Sequence, residues 1–400
     1  MKHHKPIRSW PRVHIAQIGV SPGQPQHNTA VMLRAIQGAR QASADLVVFP
    51  QMAIPGCLLG NRWQWPAFLR ECEACGERIR EASEGLIIVF GNVGLDWSAQ
   101  NQDGSVRKYN ALFVAAGGRF VGPGPYPFII QDLPAPAGRW DEYRHFSDPR
   151  QVALECGWQL EQLSAPVLAG GWRLGCALGA DAPRIEAAHL QRLAAQPVDL
   201  LINIASTPFL LDQSRQRQAN FATLAATTGK PLIYVNQVGI QNDGQRVFVF
   251  AGMSGIYTAG QHSGLPAFEE GALTQALPMD EARPSSAQPA EGVAALAQAL
   301  LYGARAFMSQ CGISRVTVGL SGGIDSALVA ALYGRFLERE QLLLVNLPGP
   351  FTSPTTIALA RQLAANLGCY YVELPIAEGC NLTKAQIDGL AISSPDGQLK

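Results

Sequence analysis

A short run near position 320 has the residue types and the spacing of an anion-binding loop. It combines hydroxyl groups, glycines and one carboxylate at Ser321, Gly322, Gly323, Asp325 and Ser326. Glycines let a backbone approach a phosphate closely, and hydroxyl groups add hydrogen-bond donors. The run therefore predicts a phosphate or pyrophosphate site. The alternative is a strand–helix connection that is merely rich in glycine and serine.

The flanking residues predict the two elements that would position this loop. Residues 316–320 alternate in the manner of a short buried strand, and residues 327–333 read as an apolar, alanine-rich helix. The free N–H groups and the dipole of such a helix would face the same spot as the glycine turn. No Gly-Lys-Ser/Thr follows the glycines, so the loop is not a Walker P-loop. The sequence Ser-Gly-Gly-Ile-Asp-Ser is not the GxGxxG dinucleotide turn either.

The sequence Ser-Gly-Gly-Ile-Asp-Ser resembles the pyrophosphate loop of the N-type ATP pyrophosphatases, which cleave ATP to an adenylated intermediate and pyrophosphate. Residues 342–347 then predict a second buried strand and residues 356–367 a helix. This order implies a parallel sheet with its ligand at the carboxyl ends of the strands. The resemblance implies ATP and Mg²⁺ as ligands, with Leu347 and Pro348 near the adenine. It also implies that Asp325 orients the loop or holds a magnesium-bound water.

Composition limits the class of protein. The chain has 400 residues, is 47% hydrophobic and 16% charged, and has a formal net charge of zero, which suits a packed protein of two domains. A net charge of zero gives no excess of positive charge for binding nucleic acid or an anionic membrane. No apolar run reaches the roughly 20 residues that span a bilayer. Cys72 and Cys75 are the only close cysteine pair, and no second pair completes a zinc site. We expect a cytoplasmic protein with reduced thiols and no membrane or nucleic-acid partner.

The first 270 residues alternate short apolar runs with amphipathic ones. Strands are predicted at residues 13–20, 45–50, 86–91, 172–178, 200–205 and 232–236, and helices at residues 28–44, 65–82, 185–195 and 215–228. Hairpins are predicted within residues 110–122 and 247–257, and the chain from 122 to 138 reads as a loop. The pattern predicts an α/β layered sandwich.

This region resembles the carbon–nitrogen hydrolase (nitrilase-like) family. It resembles most closely the glutamine amidase domain at the front of the glutamine-dependent NAD synthetase family. The segments that carry the resemblance are residues 44–56, 108–122, 201–209 and 231–243. The implied fold class is α/β. A nitrilase-like α-β-β-α sandwich is expected over residues 1–270, a linker over 271–291, and an incomplete Rossmann-like parallel α/β (ATP pyrophosphatase) domain over 292–400.

The amidase residues depart from the family pattern. The resemblance places a Glu base at Gln51, an oxyanion-stabilising Lys at Ile130 and the Cys nucleophile at Gly179. A neutral amide has no basic lone pair near neutral pH and does not take a thiol proton. Cys176 is the alternative nucleophile, but three residues along a strand it would point to the opposite face from Gly179. We expect the amidase half to be a pseudo-enzyme.

The resemblance implies ATP-dependent amidation of deamido-NAD through an acyl-adenylate, in a homo-oligomer built through both domains. If the amidase half is inactive, ammonia would replace glutamine as the nitrogen donor. The ammonia would be free or would come from a partner amidase. Two other functions stay open: a non-catalytic scaffold or regulatory protein, and an ATP-pyrophosphatase ligase that acts on another carboxylate. An active nitrilase or amidase is the least favoured function, below the synthetase, the scaffold and the ligase for another carboxylate. The synthetase domains of the family are more than twice as long as this second domain, so we expect a chain cut from a longer one and incomplete for catalysis by itself.

Overall fold

A computed structural model describes residues 10–101, 103–130, 142–179, 183–278, 291–391 and 395 of the chain. The chain forms two compact units, which divide between Ala299 and Leu300. Among the described helices, none is both long and apolar enough to cross a bilayer.

The first unit alternates strands with helices. Its described strands are β1 (Arg12–Gln17), β2 (Leu46–Val48), β3 (Ile87–Gln100), β4 (Val106–Ala116), β5 (Arg119–Val121), β6 (Ile129–Ile130), β7 (Val167–Ala169), β8 (Trp172–Leu178), β9 (Leu200–Ala205), β10 (Leu232–Asn236), β11 (Val238–Asn242), β12 (Val247–Ala251), β13 (Gly255–Thr258), β14 (Gln261–Gly264) and β15 (Gly271–Ala276). Its helices are α1 (Pro25–Gln41), α2 (Pro66–Glu81), α3 (Glu142–His145), α4 (Pro149–Cys156), α5 (Pro183–Ala194) and α6 (Gln213–Thr228). The division between the units falls within α7 (Gly292–Cys311).

Two mixed sheets pack face to face in this unit. One has the strand order β15-β1-β2-β3-β4-β5, with β6 also paired to β4, and the other has the order β14-β13-β10-β9-β8-β7. Apolar side chains from both sheets form one core between them. A second core lies between the first sheet and α1 and α2, and a third between the other sheet and α5 and α6. The predicted α-β-β-α sandwich is confirmed.

The periodicity of the sequence explains these layers. Val13 and Ile15 alternate along β1 and enter the core between the sheets. On α1, Met32 and Ile36 are four residues apart, so they lie on one helical face and enter the core beneath it. An element with one apolar face must bury that face against a partner, and three stacked cores satisfy all four layers.

Part of the expected linker is a strand. Residues 271–276 form β15, which pairs antiparallel with β1 along its whole length. His14 on β1 faces Thr274 on β15, with 2.7 Å between His14 Nδ1 and Thr274 Oγ1. The sequence Gly-Ala-Leu-Thr-Gln-Ala has weak apolar alternation, so only the pairing with distant β1 makes it a strand. The assignment of these residues to a linker is therefore wrong.

One of the two predicted hairpins is present in the structure. The hairpin within residues 110–122 is confirmed, since β4 pairs antiparallel with β5. The pairing of residues 247–250 with residues 254–257 is wrong. Strand β12 pairs with β11 instead, and β13 pairs with both β10 and β14. Adjacent apolar runs do not reveal which neighbour each strand will take, because tertiary packing decides it.

The second unit has a parallel sheet with the order β16-β17-β18. Its elements are β16 (Val316–Gly319), α8 (Ile324–Tyr333), β17 (Leu342–Asn346), α9 (Pro354–Leu367), β18 (Tyr370–Glu373) and α10 (Ala377–Asp388). Val318 and Leu344 from the strands pack with Ala330 of α8 and Ala360 of α9. This is the expected Rossmann-like parallel arrangement, and α10 is an addition that the sequence analysis did not predict.

Candidate functional site

The phosphate loop occupies the turn between β16 and α8. Gly322 has a φ of +85°, a left-handed conformation that favours glycine. A Cβ built on Gly322 would lie 2.1 Å from the carbonyl oxygen of Thr356 on α9. No side chain fits there, because backbone atoms occupy the space. The glycine therefore serves both the turn and the close approach of α9.

The two serines of the loop hold it in shape. Ser326 Oγ accepts a hydrogen bond from the backbone N–H of Ser321 at 3.2 Å and donates to the carbonyl of Gly323 at 3.1 Å. The hydroxyl oxygens of Ser321 and Ser326 are 3.0 Å apart, and Ser321 Oγ accepts from the N–H of Gly323 at 3.2 Å. Both hydroxyls therefore lie inside the loop, where they can turn toward an anion.

The start of α8 supplies free donors to the same place. Within the described chain, the N–H groups of Ile324 and Asp325 make no hydrogen bond. A helix leaves its first N–H groups without internal acceptors, and its dipole places partial positive charge there. Together with the hydroxyls, these donors have the arrangement that an anion-binding site requires, and the anion site itself stays a prediction.

Asp325 places a carboxylate at the edge of this cradle. Its side chain is exposed in the first turn of α8. A carboxylate beside a phosphate is repulsive unless a cation lies between them. Mg²⁺ is commonly held by one or two carboxylates together with substrate phosphates. One carboxylate beside substrate phosphates therefore fits a magnesium ion that arrives with a nucleotide. Among the residues that the structure describes, no cluster of three or more metal-binding side chains occurs.

Leu347 and Pro348 follow β17 directly, at the carboxyl edge of the sheet beside the loop. Leu347 is 48% exposed. The carbonyl of Pro348 accepts from the N–H of Ile376 at 3.1 Å, which ties this segment to the residue before α10. The structure therefore brings the predicted adenine-side residues to the same edge of the sheet as the phosphate loop.

Asn346 is a site residue that sequence reasoning missed. Its Nδ2 donates to the carbonyl of Leu320 at 2.7 Å, and Leu320 immediately precedes the loop. Asn346 is 1% exposed, and its Oδ1 is buried without a partner among the described residues. The sequence does contain a signal for this role, because Asn346 is a polar residue at the end of an apolar strand. A buried amide needs hydrogen-bond partners.

In the first unit, the backbones of Gln51 and Gly179 meet at the end of β9. The N–H of Gln51 donates to the carbonyl of Ala205 at 3.2 Å, and the N–H of Gly179 donates to the carbonyl of Ile204 at 2.7 Å. The side chain of Gln51 is 5% exposed, and its Oε1 accepts from the N–H of Ser206 at 3.1 Å. Gln51 therefore bridges the two sheets.

The side-chain direction at Gly179 leads toward Ala205 and Glu186. A Cβ built on Gly179 would lie 2.6 Å from Ala205 Cβ and 3.2 Å from Glu186 Oε1. Ala205 belongs to the core beneath α5 and α6. A side chain at this position would therefore enter that layer, which is already filled.

Ile130 also faces a different layer. It pairs with Ala111 of β4 and packs in the core beneath α1 and α2, whereas its neighbour Ile129 packs between the sheets. Successive residues of a strand point to opposite faces. The positions Ile130 and Gly179 thus direct their side chains into two different cores.

Cys176 is the alternative nucleophile that the sequence analysis considers. It is 0% exposed in the core between the sheets, and burial raises the pKa of its thiol. Apolar surroundings of this kind favour the neutral thiol over the thiolate.

A thiol that the sequence analysis did not single out lies close to Gln51. Cys57 Sγ donates to Gln241 Oε1 at 3.2 Å and lies 3.8 Å from Gln237 Nε2. Gln237 also donates to Ser206 Oγ, and the N–H of this same Ser206 donates to Gln51 Oε1. The side-chain amides of Gln237 and Gln241 take no proton from a thiol near neutral pH.

Comparison with known proteins covers both units. Residues 12–285 match the carbon-nitrogen hydrolase family, and residues 296–396 match the NAD synthase family. Two similar curated proteins are glutamine-dependent NAD(+) synthetases. The one from Rhodobacter capsulatus is 29% identical over 92% of this chain, and the one from Xylella fastidiosa is 30% identical over 89%. The matches span 63% and 62% of those two relatives' lengths.

A solved structure shares the fold. The glutamine-dependent NAD+ synthetase from Acinetobacter baumannii, in complex with adenosine diphosphate, superimposes with a TM-score of 0.78 at 24% identity, over 98% of this chain and 70% of that chain. The chain therefore belongs to the carbon-nitrogen hydrolase family and continues into an NAD synthase segment, as in the glutamine-dependent NAD(+) synthetase family that its sequence resembles.

Proposed function

We propose that this protein is an ATP-dependent carbon–nitrogen ligase of the NAD(+) synthetase type, and that its nitrogen donor is ammonia. The observation that carries the proposal is the loop at Ser321–Ser326, where two hydroxyls and the free N–H groups of α8 converge. The named relatives support deamido-NAD as the carboxylate substrate, because both are NAD(+) synthetases.

The chemistry follows from the charge that the loop can accept. The carboxylate of deamido-NAD attacks the α-phosphorus of ATP, and pyrophosphate leaves. Ammonia then displaces AMP from the acyl-adenylate. Donors fixed in place before the reaction stabilise the charge that develops on the departing pyrophosphate. Magnesium, when bound, supplies further neutralisation of the phosphates, and Asp325 would orient it through a carboxylate oxygen or a bound water.

The inactive amidase half is part of the same proposal. Gln51 supplies no base, and the side chains at Ile130 and Gly179 are directed into two different cores. Cys57 Sγ donates a hydrogen bond to the amide oxygen of Gln241. Because nucleophilic catalysis needs a nucleophile within reach of a base, glutamine would not be hydrolysed here. The first unit would then serve a structural role.

The testing experiment measures NAD formation by the complete gene product with ATP, Mg²⁺ and deamido-NAD, with ammonium or glutamine supplied separately. The proposal expects NAD and AMP with ammonium alone. NAD formed from glutamine at a comparable rate would overturn the assignment of the amidase half. Binding of ATP without NAD formation would favour another carboxylate substrate, and no binding of ATP would favour a non-catalytic scaffold.

A further inference from the structure

We infer that Asn346 is a positioning residue that holds β16 and β17 apart at the phosphate loop, so that a nucleotide can enter beyond the two strands. This inference rests on the proposed function of the loop. The Asn346 side chain takes the place of one backbone hydrogen bond between the strands. A polar residue is unexpected here, because Leu342 and Leu344 on the same face of β17 both pack in the core of the second unit.

The backbone ladder between β16 and β17 ends one hydrogen bond early. Alternate residues of a strand turn their N–H and C=O groups toward the same neighbouring strand. Val345 turns toward β16, since its carbonyl accepts from the N–H of Leu320 at 2.8 Å. The next bond would join the N–H of Leu347 to the carbonyl of Leu320. Within the described chain the N–H of Leu347 makes no hydrogen bond, and Asn346 Nδ2 donates to that carbonyl at 2.7 Å instead.

The pairing on the other side of β17 continues past the same point. The carbonyl of Asn346 accepts from the N–H of Leu374, directly after β18, at 2.9 Å. The carbonyl of Pro348 accepts from the N–H of Ile376 at 3.1 Å. The chain after β17 therefore stays beside the chain after β18 while it leaves β16. The sheet is thus forked at Asn346, between β16 and β17.

The amide of Asn346 can hold this fork open because it brings its own donor. A buried carbonyl without a partner costs free energy, so strands that part at Leu320 need a substitute for the N–H of Leu347. Asn346 is 1% exposed, and its Oδ1 has no hydrogen-bond partner among the described residues. A leucine would fill this place without a polar group to satisfy, so stability alone does not account for the amide.

The fork adjoins the phosphate loop directly. The atom that Asn346 holds is the carbonyl of Leu320, and Leu320 immediately precedes Ser321. Ligands of open α/β sheets bind in the crevice beyond the carboxyl ends of the strands, and a fork lengthens that crevice by one residue of strand. The loop would bind the phosphates of a nucleotide. Asn346 would therefore affect only the part of the nucleotide that extends beyond its phosphates.

Hydrogen exchange of the Leu347 amide, measured by NMR on the full chain, tests the fork without any ligand. In Asn346→Leu the amide donor is gone, so the carbonyl of Leu320 should take the N–H of Leu347 and the strands should close by one hydrogen bond. We expect this N–H to exchange as an unprotected group in the native chain and to become protected about tenfold or more in Asn346→Leu. Asn346→Ala, which adds no bulk, should give the same protection.

Calorimetry with MgATP and with magnesium pyrophosphate then separates the fork from the loop. We expect Asn346→Leu to weaken MgATP binding about tenfold, because the nucleotide must first break the new hydrogen bond. Pyrophosphate binding should be unchanged, since the loop keeps its donors and Leu320 keeps a partner. Asn381→Leu, at an exposed position on α10, is the control for the same substitution outside the sheet and should match the native chain in both measurements.

Each contrary result has its own meaning. A Leu347 amide that is protected in the native chain, or that stays unprotected in both variants, overturns the role of Asn346 in the fork. Unchanged MgATP binding in Asn346→Leu overturns its positioning role and leaves the loop intact. Equal weakening of MgATP and pyrophosphate also overturns it, because the substitution then acts through the loop. A native chain that binds neither probe overturns the proposed function, and the exchange of Leu347 still reports the fork separately.

Discussion

Gly322 and Thr356 are in backbone contact across the phosphate loop, so that a Cβ on Gly322 would stand 2.1 Å from the Thr356 carbonyl oxygen. This contact joins the first turn of α9 to the loop before α8. It makes the shape of the loop depend on both crossover helices of the second unit. A strand–glycine–helix pattern predicts the loop, and the parallel sheet brings the second helix to it.

We expect Gly322→Ala to destabilise the chain by about 2 kcal/mol or more, because it adds a clash with backbone to a left-handed φ. Pyrophosphate binding should be lost at the same time. Gly319→Ala is the matched control, since Gly319 precedes the same loop and a Cβ there meets nothing within 4 Å. Thermal unfolding of both variants measures the loss of stability, and calorimetry measures the affinity for pyrophosphate. Equal effects of the two substitutions would contradict the contact.

Ser326→Ala should weaken pyrophosphate binding about tenfold, which corresponds to the loss of about one hydrogen bond to a charged group. The hydroxyl of Ser326 organises the N–H of Ser321 and can turn toward the anion. Ser309→Ala on α7 is the control for removal of an exposed serine hydroxyl outside the loop. Unchanged affinity in Ser326→Ala would show that the backbone donors alone carry binding.

Restoring the family residues should not restore an amidase. The triple variant Gln51→Glu, Ile130→Lys and Gly179→Cys is expected to release no glutamate from glutamine, because the last two side chains enter separate filled layers. Gln51→Glu alone should fold, since a carboxylate oxygen can accept the same N–H of Ser206. Release of glutamate, or a covalent adduct on the introduced thiol, would mean that the positions converge after all.

The buried ion pair between Glu186 and Arg217 provides a stability test. Glu186 Oε2 lies 2.6 Å from Arg217 Nε, and the two side chains are 2% and 6% exposed. Glu186→Gln should cost about 3 kcal/mol of unfolding free energy, because it leaves a buried guanidinium without its charge partner. Glu291→Gln removes the carboxylate of an exposed pair with Arg215 and should cost less than about 1 kcal/mol. Denaturant unfolding of both variants measures the two losses of unfolding free energy. Equal losses would contradict the claim that burial makes the Glu186–Arg217 pair matter more than the exposed pair.

The pairing of β1 with β15 predicts a pH dependence. Burial lowers the pKa of His14, so the folded chain binds this proton less readily than the unfolded chain, whose histidines titrate near 6.5. The unfolded state therefore holds more protons below pH ~6.5, and stability is lost as the pH falls through that range. His14→Asn, which keeps a polar partner for Thr274, should reduce this dependence. An unchanged pH profile in the variant would show that His14 does not contribute.

Periodicity and turn chemistry predicted most of the fold. The strand–glycine–helix order at Val316–Tyr333 was read correctly because it is local, as were β8, β9 and β10 with their helices. Strand β15 was missed because its own residues alternate weakly and its partner β1 is far away in the chain. The hairpin at residues 247–257 was wrong because the choice among strand partners belongs to the packed sheet.

The candidate site shows the same limit. The residue types of the phosphate loop carry their chemistry in the sequence, so they could be named before the fold was known. Asn346 and Thr356 could not be named from the sequence, because their roles depend on the fold. The order of the strands brings them to Leu320 and Gly322. The sequence predicts the amidase positions, but it does not predict which core each side chain enters, because that depends on the exact register of the strands.

The central claim is that nitrogen reaches the product as ammonia and not through the first unit. The complete gene product would be incubated with ATP, Mg²⁺, deamido-NAD, unlabelled ammonium and glutamine whose amide carries heavy nitrogen. Mass spectrometry of the NAD formed then reports the donor directly. The account predicts NAD with unlabelled nitrogen only. NAD that carries the heavy nitrogen would contradict it and would show a working glutaminase despite Gln51 and Gly179.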